Sequence, residues 1–297
     1  MHLPPKRKWG AAMIIRFLSN CFFGLAALGV AVGFLGWWIP AGDSFALIRP
    51  VFAGLCLLGV FLLRPRWLRG VAGVAAVAGA VTVLPVFAGQ SGPGDLRLYA
   101  KNLWSGNTQY RAVAADILAA DVDVVMLQEV SERNNHILIL LADTFPYQHV
   151  CERSAWMADA VLSRTPFDGV PQCSKGRAMA LAPLRIDEET VWAASVHIPW
   201  PWPYDSASSE AEAASMLADL DAPVVIAGDF NMFPWTARVK RIAKAGDVAL
   251  AGPARTTLTL WRMPMMIDHV LAPNGGQIKR RPLLGSDHHG LVADVRL

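Results

Sequence analysis

The sequence predicts an α/β body over residues 96–297 behind a membrane anchor over residues 1–95, and three observations carry that reading. Long charge-free apolar runs fill the first part. Short strand-like apolar runs alternating with helical spacing fill the second. Charge divides the same way: from Leu96 onward there are 19 Lys+Arg against 22 Asp+Glu, a net of −3, and before it 8 against 2, a net of +6. Charged residues are 17% of the chain, well under the roughly 25% of an ordinary soluble domain. The body lacks the basic excess of a nucleic-acid-binding domain, so the overall +3 is not such a footprint.

The anchor reads as three transmembrane helices. Lys6, Arg7, Lys8 and Arg16 precede a first run, Phe17 to Gly42, that carries no charge; about 20 apolar residues suffice to cross a bilayer. Trp37 and Trp38 stand near its far end, where interfacial tryptophans belong. A second run, Phe45 to Leu63, is interrupted by Arg49, which is placed to snorkel. A third, Gly70 to Ala88, contains Pro85. Gly and Ala are frequent in all three, as where helices pack closely in lipid. A cleaved signal peptide fits less well, because its apolar stretch is only about 7–15 residues. Arg64, Arg66 and Arg69 lie between the second and third runs, so the positive-inside rule puts that loop and the N-terminus in the cytoplasm. Three spans then deliver the body to the outer, periplasmic side of a bacterial inner membrane. A re-entrant second run would reverse that parity.

Gln90-Ser-Gly-Pro-Gly94 has the turn chemistry of a short linker. Beyond it, Leu96–Lys101 alternates as a strand, Tyr110–Ala120 has apolar residues at helical spacing, and Val122–Leu127 is a continuous apolar run of strand length. Trp192–Val196, Val224–Ala227, Ile267–Leu271 and Leu291–Val295 read as further strands, and Glu210–Leu220 as a helix. Cys151 and Cys173 are the only cysteines of the body. They are either a disulfide, if the body meets an oxidising compartment, or two buried thiols.

Polar residues recur where these strands end. Asn102 closes the first, Glu129 follows Val124-Val-Met-Leu-Gln128, and Asp229 and Asn231 follow Val224-Val-Ile-Ala-Gly228. Asp268 and His269 lie within Met266-Ile-Asp-His-Val-Leu271, and Asp287 and His288 precede the last strand. Each alone is ordinary; together they suggest a shared edge where strand ends converge. Carboxylates and amide oxygens suit a hard cation such as Mg²⁺. No two histidines have zinc-ligand spacing on a helix.

Leu127-Gln-Glu129, Gly228-Asp-Phe-Asn231, Ile267-Asp-His269 and Ser286-Asp-His288, in that order, resemble the endonuclease/exonuclease/phosphatase superfamily. The resemblance covers the body and implies a four-layer α/β sandwich of two packed sheets with a metal-dependent phosphoesterase site. It implies Glu129 as principal metal ligand, with Asn102 and Asp287 nearby, for Mg²⁺ or Mn²⁺. It further implies Asp229 as the group that orients and deprotonates water, Asn231 on a phosphate oxygen, and His288, oriented by Asp268, against the transition-state charge. His197, in Ser195-Val-His-Ile-Pro199, matches a histidine beside the leaving group. Phosphodiesters repel anionic nucleophiles, so charge neutralisation and positioning carry such a reaction.

The substrate class stays open between a nucleic acid, a lipid headgroup and a small phosphoester, and no stable protein partner is expected. Pro199-Trp-Pro-Trp-Pro-Tyr204 follows His197 directly. It is a lipid-facing lip, a platform for stacking bases, or a packed loop covering the sheet edge. Arg238, Lys240, Arg241 and Lys244 read as a basic patch that steers an anionic substrate. A catalytically inactive, membrane-tethered binding module of the same fold is the alternative to an enzyme.

Overall fold

The structure, a computed structural model, describes residues 10–89, 92–154, 157–176, 178–204 and 206–297. The Lys6-Arg7-Lys8 cluster and the first two residues of the Gln90 linker lie outside them. The chain divides into two compact units, Met1–Leu84 and Pro85–Leu297.

The first unit contains α1 (Ala11–Phe34), α2 (Pro40–Ala46), α3 (Arg49–Leu62) and α4 (Arg66–Val83). Two segments, Ala11–Trp37 and Arg66–Phe87, are helical, long and apolar enough to cross a membrane. The second apolar run differs from the expected single span. It is a pair of helices, α2 and α3, bent by 62°. Pro50 explains the break, because it has no N–H to continue the ladder of α2 and instead occupies the first turn of α3. At 1.5 Å per residue, the 14 residues of α3 cover roughly 21 Å, short of a hydrocarbon core of about 30 Å. Among the described residues the candidate spans therefore number two, or three if the bent pair is one broken span. Arg49 also departs from expectation: instead of snorkelling it is buried, with Nη2 donating to Gly33 O at 2.8 Å and the guanidinium 4.3 Å from the Phe34 ring centre.

The second unit runs β1 (Leu96–Asn102), α5 (Tyr110–Ala120), β2 (Val124–Val130), α6 (His136–Leu141), β3 (Tyr147–Ser154), β4 (Met157–Ser163), β5 (Gln172–Cys173), β6 (Met179–Ile186) and β7 (Glu189–His197). It continues with α7 (Ala207–Ala218), β8 (Val224–Asp229), α8 (Ala237–Ala245), β9 (Ala249–Leu250), β10 (Leu258–Leu260), β11 (Met263–Met265), β12 (Asp268–Ala272), β13 (Gly276–Arg280) and β14 (Leu291–Val295). Two mixed sheets result, ordered β13-β14-β1-β2-β4-β3 and β5-β6-β7-β8-β12-β9, with β10–β11 as a separate hairpin. Each sheet has one parallel pair, β1 with β2 and β7 with β8.

The sheets meet through one alternation of their strands. Leu98, Ala100, Val124 and Met126 of the first sheet share a core with Ala180, Ala182, Ala193, Val225 and Ala227 of the second. The opposite alternation, Tyr99, Val125 and Leu127, joins Val113 and Ile117 of α5 and Ile137 and Leu141 of α6. On the second sheet, Gly246 at the end of α8 lies so close to Val224 and Ile226 that a Cβ there would stand 2.9 Å and 3.1 Å from them. Helices thus flank both sheets, and the body is an α/β sandwich.

The helix Tyr110–Ala120 and the strand Leu291–Val295 have the bounds their periodicity predicts. Strands β3, β4 and β6 are additions. β6 is Met-Ala-Leu-Ala-Pro-Leu-Arg-Ile, and both Ala and Pro disfavour strands locally, so burial against the facing sheet decides its state. The two body cysteines are joined: Cys151 of β3 and Cys173 of β5 form a disulfide. Those strands are the edges of the two different sheets, so the bond staples the sandwich along one side.

Candidate active site

The site grows from the C-terminal ends of the parallel pairs. Asn102 stands opposite Gln128 in the β1–β2 register, and His197 opposite Asp229 in the β7–β8 register. β12 runs antiparallel to β8 and begins opposite Asp229, so Asp268 enters at the same edge. A buried polar bridge locks the sheets behind this edge: Gln128 Nε2 donates to Ser195 Oγ at 2.9 Å, and Ser195 Oγ donates to Leu127 O at 3.2 Å.

Glu129 interrupts the β2–β4 register and sits at φ +56°, a left-handed conformation that costs a non-glycine residue energy. The surroundings hold it there. Asn134 Nδ2 donates to its carbonyl at 3.1 Å, Ser105 N–H to Oε2 at 2.9 Å and Asn102 Nδ2 to Oε1 at 3.0 Å. Asn102, expected as a metal ligand, turns its amide nitrogen toward the carboxylates and also donates to Asp229 Oδ2 at 3.1 Å. Its oxygen is occupied by Trp104 N–H at 2.9 Å. In this orientation the Asn102 amide donates to both acids.

Asp229 is buried and fully engaged. Its Oδ1 accepts from Asn231 N–H at 2.8 Å, and its Oδ2 also accepts from Asn231 Nδ2 at 3.3 Å. Asn231 adopts φ +49° and anchors its amide on Ile198 O at 2.9 Å. Burial, reinforced by the charge of Asp268, raises the Asp229 carboxyl to about 7. His288 Nδ1 meets Asp268 Oδ2 at 2.9 Å, which directs Nε2 toward Asp229 Oδ2 at 3.9 Å and Asp287 Oδ1 at 4.0 Å. Burial alone would depress the His288 imidazole, but Asp268, Asp229 and Asp287 outweigh it and raise it to about 10. The loop carrying His288 is fixed from beneath: Lys101 Nζ donates to His288 O at 2.8 Å, and Ser286 Oγ to Asn102 O at 2.8 Å. His197 Nε2 lies 3.8 Å from Glu129 Oε1 and 3.7 Å from Asp229 Oδ2.

Glu129, His197, Asp229, Asn231, Asp287 and His288 line one cleft of about 480 Å³, with Trp200, Tyr204 and Leu258–Leu260 as its apolar walls. Asn102 and Asp268 stand behind this lining, Asn102 bonded to Glu129 and Asp229 and Asp268 to His288. The donors facing the cleft are oxygen atoms and imidazoles, and Asp229, Asp268 and His288 each bring one ligand atom within 4.8 Å of the others, a chemistry suited to a divalent cation.

Residues 101–288 match the model of the Endonuclease/Exonuclease/phosphatase family. The chain belongs to that family. Members of the endonuclease/exonuclease/phosphatase family are metal-dependent phosphoesterases. Solved structures of the same fold include an endonuclease/exonuclease/phosphatase family protein from Leptotrichia buccalis C-1013-b, at TM-score 0.55 and 14% identity, covering 68% of this chain and 100% of that one. One from Bacteroides vulgatus has TM-score 0.53 and 15% identity, covering 67% and 97%. A beta toxin variant from Staphylococcus aureus with bound magnesium ions has TM-score 0.51 and 15% identity, covering 68% and 99%. No curated protein matches the chain.

Two residues near the cleft are placed differently from, or beyond, the sequence reading. Asp159 of β4 is buried with Oδ1 3.9 Å from His197 Nδ1, on the side away from the cleft acids. Its one local signal is a carboxylate inside Met157-Ala-Asp-Ala-Val-Leu162, a segment otherwise apolar enough for a core strand. Arg238, read as part of a solvent-facing basic patch, is instead buried. It donates to Glu210 Oε2 at 3.2 Å, to Pro199 O at 2.7 Å and to Ser206 Oγ, so it clasps both ends of the aromatic loop. Arg241 binds the same Glu210, and Lys244 is the exposed charge near the end of α8.

Proposed function

We propose that the body is a divalent-metal-dependent phosphodiesterase that hydrolyses a phosphoester by direct attack of water, using Mg²⁺, with Mn²⁺ as the alternative. The observation that carries this reading is the meeting of Glu129, Asp229, Asp287, His197 and His288 in one cleft, with His288 held by Asp268 at 2.9 Å. A bound divalent cation would neutralise phosphate charge and polarise the ester; Glu129 and Asp287 are the residues to hold it. Asp229, with its carboxyl raised to about 7 by burial, is suited to take a proton from water near neutrality. Asn231, beside it in the cleft, positions a phosphate oxygen. His288 is an imidazolium at neutral pH and stabilises the charge that builds on the phosphate. His197, set among Glu129, Asp229 and Asp159, stands where the leaving oxygen needs a proton.

The substrate is a nucleic acid, a lipid headgroup or a small phosphoester, with the lipid or small ester favoured by the acidic body and the Trp200–Tyr204 wall. We place the protein as an integral component of a bacterial inner membrane with the body on the outer side, a placement supported by the Cys151–Cys173 disulfide. No stable protein partner is included. Hydrolysis of bis-p-nitrophenyl phosphate by the detergent-solubilised chain, with and without Mg²⁺, tests the chemistry. The expected result is metal-dependent turnover lost by at least about 100-fold in Glu129→Ala. Absence of turnover in the wild type would favour the inactive binding module. A screen over DNA, RNA, sphingomyelin and inositol phosphates then selects the substrate.

A further inference from the structure

We propose that the β10–β11 hairpin and the basic residues around its base form a docking face for an anionic phospholipid surface. The inference concerns the hairpin tip and the charges around it, beyond the Leu258–Leu260 wall of the cleft, and its test does not depend on turnover.

The first observation is the hairpin tip. Leu260 pairs with Met263, which leaves Trp261 and Arg262 as a two-residue turn at φ 47° and 68°. Such turns are ordinarily Asn-Gly or Asp-Gly, because both positions are left-handed. Here a tryptophan takes the strained place and is 85% exposed, with Arg262 and Met263 exposed beside it. Leu258 and Met265, at the hairpin base, supply its burial. Neither turn geometry nor core packing calls for Trp261; an aromatic ring at a bilayer interface does.

The second observation is charge. From Ala254 to Pro282 the chain carries Arg255, Arg262, Lys279, Arg280 and Arg281 against one carboxylate, the buried Asp268. Arg281 is held by Asp116, and the other four are exposed. These are four exposed cations on the hairpin and the segments at its base, in a body whose net charge is −3. Backbone and side-chain contacts tie the segment before the hairpin to β13. Gly252 N–H donates to Gly276 O at 2.9 Å, Ile278 N–H to Gly252 O at 3.1 Å, and Arg280 Nη1 to Thr256 O at 3.3 Å.

The third observation separates a bilayer from a nucleic acid, whose phosphates the same arginines would also meet. Ala254 N–H donates to Val86 O at 2.8 Å, and a Cβ on Gly252 would stand 2.5 Å from Ala88 O. Val86 belongs to the last turn of the candidate span Arg66–Phe87. Leu258 is four residues beyond Ala254, so the hairpin base begins within roughly 14 Å of the point where the chain leaves the span. Basic residues at that distance from lipid are drawn to anionic headgroups.

The test uses the full chain in nanodiscs, with Cys21→Ala and Cys56→Ala and an environment-sensitive fluorophore on Trp261→Cys. Glu188→Cys, in the exposed β6–β7 turn, is the reference. In discs of equimolar phosphatidylcholine and phosphatidylglycerol, the probe at 261 is expected to shift to the blue and to be quenched by brominated acyl chains. The probe at 188 does neither. The shift at 261 should shrink in pure phosphatidylcholine and at high salt. A spectrum at 261 equal to that at 188 overturns the proposal. So does a probe that responds only to added single-stranded DNA, which would make the face a nucleic-acid surface. Met263→Cys repeats the measurement should the label at 261 disturb the turn.

Discussion

Gly228 precedes the Asp229 carboxylate and has no room for a side chain: at φ +140°, a Cβ would stand 2.1 Å from Val196 O and 2.8 Å from Gln128 Nε2. Both neighbours belong to the frame of the site, so neither yields cheaply. Gly228→Ala is expected to destabilise the body by about 3 kcal/mol or more, measured by urea unfolding. Its partner at this scale is the Asp268–His288 contact. Asp268→Asn keeps the volume but removes the charge that holds His288 protonated, so kcat should fall by about 100-fold with little change in KM. His269, one residue along, points away from the cleft and bonds Met232 O at 2.8 Å. Burial lowers its imidazole from 6.5 to about 4. The folded protein therefore binds that proton less readily than the unfolded chain. The His269 contribution is present in full above pH 6.5 and is lost as pH falls from 6.5 toward 4. A profile of Tm against pH should be less steep over that window in His269→Gln than in wild type.

The elements divide into those whose pattern is local and those whose state is imposed from outside. The polar residues that end β1, β2 and β8 could be placed from the sequence because each follows an unbroken apolar run, and a carboxylate after such a run stands out. Asp159 could not, because β4 and its neighbour β3, like β6 of the other sheet, are held as strands by pairing and burial rather than by their own composition. The bend between α2 and α3 is hidden from the sequence for a related reason. Hydropathy averages across Pro50, whereas hydrogen bonding does not. Arg238 shows the limit for charge: a basic helix face looks solvent-facing until Glu210, from α7, is known to lie beneath it. Removing that arginine would leave a buried Glu210 short of a partner and free both ends of the aromatic loop. Arg238→Met should cost about 3–5 kcal/mol of stability. It should also raise KM more than it lowers kcat, because the loop walls the cleft without carrying the chemistry.

For the whole molecule, the proposed function makes the acids of the cleft a cost to folding that a bound cation would relieve. Mg²⁺ is expected to raise the Tm of the body in proportion to RT ln(1 + [Mg²⁺]/Kd). The increment should vanish in the double variant Glu129→Ala/Asp287→Ala, and EDTA should return the wild type to its metal-free Tm. The two-sheet architecture was legible only through ordered motifs, since periodicity predicts strands but not which sheet each strand joins. The membrane unit was legible as apolar length and not as path.

The staple between β3 and β5 gives the body a stability that depends on address. It closes a loop of 22 residues, worth about 3 kcal/mol in chain entropy, and it forms only where thiols are oxidised. A body left on the reducing side of the membrane would keep its sequence, its sheets and its cleft, yet its two sheets would part more readily along the β3–β5 edge. Misdelivered copies should then fall to proteases first, and a Cys173→Ser chain should be degraded in cells at the rate of a mislocalised one while its purified form still turns over substrate.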